Sequence, residues 1–133
     1  MHHAKGTFDV KVIPRAPSEE TGGLIAGRMS LEKQFQGDLA ATSKAEMLTA
    51  MTQVKGSAGY VAIEWVSGAL DGRNGAFALQ HSGTMTRGIP ELTVTVVPDS
   101  GTEQLTGLAG SMTITITDGK HFYDLEYTLT ESS

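Results

Sequence analysis

The sequence predicts an all-β domain, either an antiparallel barrel or a two-sheet sandwich. Three observations lead there. Apolar residues alternate with polar ones along most of the chain, which is the period of a half-buried strand. Gly, Pro and Asp-Gly breaks interrupt that alternation at short intervals. No segment demands a helix. Seven or eight strands result, and their short connections favour an antiparallel meander. The chain of 133 residues suits one domain over 1–133, with no linker to divide it.

The first strand is expected over Thr7 to Ile13, with Phe8, Val10 and Val12 on one face. Pro14 and Pro17 are expected to end it, and Ser18 to Gly23 reads as a polar loop. Arg28 to Phe35 is the second strand, with Met29, Leu31 and Phe35 in phase and Lys33 falling in the same phase. Gly37 and Asp38 break it. Leu39 to Val54 is ambiguous. Its Ala, Glu, Lys, Met and Leu suit a helix, yet Leu39, Ala41, Ala45 and Met47 also fit a period of two. Strands on both sides favour a long strand.

Lys55 to Gly59 reads as a turn. Tyr60 to Leu70 then carries Val61, Ile63 and Trp65 on one face and Tyr60, Ala62, Glu64 and Val66 on the other. The run Asp71-Gly72-Arg73-Asn74-Gly75 is strong turn chemistry. It leads into Ala76 to Met85, where Phe77, Leu79 and His81 share a phase. A hairpin with a loop slightly longer than the tightest type is expected. Gly88 and Pro90 mark the next break, before Leu92, Val94 and Val96. Leu105 to Gly110 reads as a compact turn or a short wide loop. Met112, Ile114 and Ile116 alternate with threonines, Asp118-Gly119 turns the chain, and Tyr123, Leu125, Tyr127 and Leu129 form the last apolar face.

Fifteen acidic and ten basic residues give a net charge of −5, which argues against a general nucleic-acid binder. The absence of Cys excludes disulfides, thiolate metal sites and cysteine nucleophiles. No run approaches the roughly 18 apolar residues of a membrane helix, and the N-terminus lacks the apolar core of a secretory signal. A soluble cytoplasmic protein with no membrane partner is expected. No phosphate loop, nucleophile elbow or dinucleotide fingerprint occurs, so no cofactor is expected. No pair of His has ligand spacing, and no metal site is expected.

Five residues are candidates for binding a ligand. His81 lies mid-strand among apolar residues, where an imidazole is either a hydrogen-bonded core group or an acid–base group. Glu64 lies mid-strand beside Trp65. Enclosed, its carboxylate would need partners or a raised pKa; on an outer face it would simply be solvated. Trp65, Tyr60 and Tyr127 offer flat apolar surfaces, two of them with a phenolic handle, which suit a pocket wall or an ordinary core.

Several blocks carry a family resemblance. They are Gly6-Thr7-Phe8-Asp9-Val10-Lys11, Phe35-Gln36-Gly37-Asp38-Leu39 and Phe77 to Thr84, followed by Val96 to Thr102, Gln104 to Gly110 and the closing Tyr123 to Leu129. In their order and spacing the chain resembles a bacterial family known as domain of unknown function 3224. The resemblance implies a closed antiparallel barrel of about eight strands, of the allene oxide cyclase type and lipocalin-like in shape. It also favours strand over helix for Leu39 to Val54. It implies no activity, because the cyclase motif and its site residues have no match here and fold does not dictate function.

Three functions compete. The first is a small barrel that binds a mainly apolar small molecule. The second is an isomerase or cyclase acting on such a molecule, which requires His81 or Glu64 to face inward. The third is a structural or interaction protein with a packed lumen. Large residues on both faces of Tyr60 to Val66 suggest a covered outer face, hence a homodimer or small oligomer.

Overall fold

Eight antiparallel strands close into a single barrel in the order of the sequence. The computed structural model describes residues 1–21 and 23–130, with side chains for 1–15 and 23–130. The strands are β1 (His2–Thr21), β2 (Leu24–Gly37), β3 (Leu39–Met51), β4 (Ala58–Leu70), β5 (Arg73–Thr86), β6 (Ile89–Val96), β7 (Leu108–Thr117) and β8 (Lys120–Leu129). One short 3-10 turn, Glu103–Leu105, precedes β7. Closure comes from β1 pairing with β8, where Gly6 faces Tyr123. Closing the sheet covers the first half of β1, an edge that an open sheet would leave exposed.

Leu39 to Met51 is strand, not helix. Its Ala-rich composition yields because β2 and β4 pair with it on both sides. Leu39, Ala41, Ser43 and Ala45 then turn inward on alternate positions and are buried. Burial in a sheet outweighs intrinsic helix preference.

One expectation fails at β1. Pro14 does not end the strand, which runs on to Thr21 and pairs with β2 as far as Thr21 opposite Leu24. Pairing with β8 reaches only Phe8, so the second half of β1 is an edge, where a missing N–H is tolerated. The side chains of the expected loop at 18–23 lie outside the described residues, apart from Gly23. The β4–β5 loop is also tighter than expected. Leu70 pairs with Arg73, leaving Asp71 and Gly72 as a two-residue turn with φ of 48° and 82°. Positive φ at both positions is what lets such a turn follow the twist of the strands.

The lumen is filled at one end and open at the other. The filled end holds Phe35, Leu39, Leu70, Phe77, Leu125 and Tyr127, capped by Leu105 of the 3-10 turn. Tyr123 ties the closure: its hydroxyl donates to the carbonyl of Gln36 at 2.9 Å and accepts from the Leu39 N–H at 2.9 Å. Toward the open end, β6 and β7 share one register pair, Thr95 with Ser111. This is the thinnest seam of the described barrel.

Candidate functional site

Four strands each place one polar side chain into the lumen. Lys33 on β2 lies opposite Ser43 on β3. Glu64 on β4 pairs with Ala45, which places it diagonally from Ser43, and His81 on β5 pairs with Ala62, diagonally from Glu64. Diagonal neighbours on one face of a sheet are within reach of long side chains. The four therefore run as a line across the barrel wall.

Glu64 is the centre of the line and is completely buried. Its Oε1 accepts from Lys33 Nζ at 3.1 Å and from His81 Nε2 at 2.7 Å, and its Oε2 accepts from Ser43 Oγ at 2.5 Å. Burial pushes the carboxyl pKa up. The His81 hydrogen bond, the Lys33 charge and the Ser43 hydrogen bond outweigh that and hold it below the ordinary value of 4.5. Glu64 is thus an ionised carboxylate, and its only role toward His81 is to accept. Nε2 must carry the hydrogen, which leaves the Nδ1 lone pair free in the neutral ring. Among the described residues no buried side-chain nitrogen or oxygen lacks a partner. Nδ1 has no protein partner there, so it is reached from the cavity.

Lys33 is nearly as buried as Glu64. Its ammonium lies 4.8 Å from the ring centre of Phe8 and 5.9 Å from that of Phe35. These ring faces supply part of the solvation that the charge loses.

Above this cluster the lumen opens into a cavity of about 200 Å³. Val10, Leu31, Met47, Leu92, Ile114 and Ile116 make its walls chiefly apolar, while Lys33, Glu64, His81, Tyr60 and His121 are its polar members. Tyr60 rests on Gly83 of the next strand; a Cβ there would lie 2.4 Å from the ring. Burial raises the Tyr60 pKa, which keeps the phenol neutral. His121 sits at the rim with its ring 5.0 Å from that of Phe8.

The chain belongs to the family described as protein of unknown function (DUF3224). That family's model matches residues 4–127. A crystal structure of a DUF3224 protein of unknown function from Shewanella oneidensis MR-1 is 51% identical and superposes with a TM-score of 0.93, covering 98% of this chain and 99% of that one. No curated protein matches. The family thus brings a barrel, without an assigned activity.

Of the five sequence candidates, His81, Glu64 and Tyr60 face the cavity. Trp65 and Tyr127 need correcting. Trp65 is 55% exposed on the outer wall, because Ala62, Glu64 and Val66 take the inward phase of β4. Tyr127 is buried at the filled end, where its hydroxyl donates to the Asp71 carboxylate. Burial, and then that hydrogen bond and charge, push its pKa up to about 12. Lys33, Ser43 and His121 were not candidates. Lys33 did carry a signal, as the one charge in the phase of Met29, Leu31 and Phe35; Ser43 sat likewise among Leu39, Ala41 and Ala45. Among the described residues no cluster of His, Asp and Glu has the makings of a metal site.

Proposed function

We propose that the protein binds a compact, mainly apolar small molecule in the open end of the barrel. Its polar acceptor group is directed at the Lys33 ammonium, beside the His81 ring. The observation that carries this reading is the buried charged cluster on the wall of an apolar cavity. A cavity of 150 Å³ accommodates benzene, whereas pockets for drug-sized ligands begin near 300 Å³. The volume of about 200 Å³ therefore selects a single ring or a short chain. The cluster supports the reading on energetic grounds as well. A buried ion pair generally contributes no more to stability than apolar packing of the same volume, and groups arranged this way concentrate at functional sites.

The expected result is that benzoate, acetophenone or hexanoate, titrated into labelled protein, shifts the amide resonances of Ala45, Ala62 and His81 and saturates. Filling the cavity with Ala62→Leu should abolish those shifts in a protein that still folds. Shifts confined to the outer wall, or none with all three probes, would overturn the reading.

The likeness to allene oxide cyclase barrels belongs to this proposal as a likeness of shape, with a ligand site at one end and no reaction carried over. A cytoplasmic setting without nucleic-acid or membrane partners is the reading that net charge and composition support. No helix among the described residues is long and apolar enough to cross a membrane.

A homodimer is a second part of the proposal, with its own observation. Leu48, Val61 and Trp65 are each more than half exposed and adjoin on the outer wall of β3 and β4. Arg28 and Glu46 flank them. A two-fold contact sets each of these charges against its opposite on a second copy, which is how a self-complementary patch works. Sedimentation of the parent as a dimer, and of Leu48→Ser/Trp65→Ser as a folded monomer, is the expected result. A parent that stays monomeric at high micromolar concentration would remove the dimer.

A further inference from the structure

We propose that the His81 pole of the cavity is a proton-transfer site that enolises a compact ketone. His81 Nδ1 is the base and the Lys33 ammonium is the partner of the developing oxyanion. The proposal deepens the binding reading and rests on it. Its basis is the shared atom at the centre of the cluster. One carboxylate oxygen, Glu64 Oε1, accepts from both Lys33 Nζ and His81 Nε2. An electrophilic donor and an oriented imidazole thus flank a single atom, on one wall of a chiefly apolar cavity. Glu64 fixes the tautomer: with Nε2–H committed to the carboxylate, Nδ1 offers a lone pair to the cavity. Lys33 spends one of its donors on Glu64, so further donors remain for a carbonyl oxygen.

In the step, the α C–H bond of the ketone breaks and its proton passes to Nδ1. The electron pair of that bond becomes the C=C bond, and the carbonyl π pair moves to oxygen, where Lys33 Nζ donates to it. Return of the proton from Nδ1 to carbon or oxygen restores neutral His81. No oxidant, reductant or further reactant enters. His81 and Lys33 are the catalytic residues and Glu64 is a positioning residue. Ser43 holds the second carboxylate oxygen in place. Tyr60 and His121 are the other titratable side chains lining the cavity.

The test is wash-out of deuterium from methyl-deuterated acetophenone in ordinary water, followed by proton NMR. The expected rate saturates with ketone and exceeds that of free imidazole at equal concentration by at least about 100-fold. His81→Asn should abolish the excess. Lys33→Met should lower it by on the order of 100-fold or more. Glu64→Gln should lower kcat and move the pH profile while leaving KM near its parent value, a split that a merely structural role would not give. The parent rate alone decides the matter should a variant fail to fold. Acetophenone that shifts Ala62 and His81 yet exchanges no faster than with imidazole overturns this inference and leaves the binding reading standing. Failure of acetophenone alone to bind overturns this inference only, and no binding by any of the three probes overturns both.

Discussion

Glu64→Ala is expected to destabilise the protein by about 3–5 kcal/mol in urea unfolding, among the largest effects of any single substitution. The carboxylate is completely buried and collects three donors. Removing it leaves the Lys33 ammonium, on a side chain only 8% exposed, without its counter-charge. The opposite outcome is expected when the whole cluster is made apolar. Lys33→Met/Glu64→Leu/His81→Leu should be as stable as the parent or more so, because exchanging a buried ionic group for packed hydrophobes is commonly neutral or stabilising. That triple variant should also lose all ligand response. A destabilised triple variant would instead show that the cluster is there for the fold.

The same carboxylate gives the protein an acid dependence of definite sign. Its folded pKa lies below the unfolded value near 4.5, so the unfolded chain takes up the proton first. The stabilisation is fully present above 4.5 and is lost as the pH falls through the lower folded value. Acid unfolding of the parent should therefore steepen below 4.5, and the triple variant should lack that component.

Leu79→Ala is expected to cost about 2–5 kcal/mol. Leu79 is fully buried, pairs with Glu64 across the β4–β5 ladder and is the next inward residue below His81. The loss has a functional consequence as well as an energetic one. The vacated space adjoins the floor of the ligand cavity, so the variant should accept a larger ring system than the parent, naphthyl in place of phenyl. Competition binding of the two series would read this directly. An unchanged preference, with the stability loss intact, would show that the new space closes up by relaxation of its neighbours.

The candidate site was half legible in the sequence. His81 and Glu64 stood out because each is a polar group in a strand whose in-phase neighbours are apolar. Phase along one strand is a local property, and local properties are written in the sequence. Trp65 shows the limit. Both faces of β4 carry large residues, so period alone could not tell inside from outside. Tyr127 shows another: its phase was right, but which end of the barrel it fills depends on strand tilt and closure.

The sequence by itself determined most of the strand content, the chain reversals near Asp71-Gly72 and Asp118-Gly119, and the alternation along each strand, because these follow from steric preference and a period of two. It misplaced the end of β1, because a proline stops a paired strand but not an edge, and edges exist only once the sheet is assembled. Tertiary structure alone decided that Lys33, Ser43, Glu64 and His81 form one line. They come from four strands, and a shift of one residue in any pairing would turn a member to the outer wall. Register is fixed by the closure of the whole barrel, so the chemistry of the site is a property of the sheet rather than of any one strand.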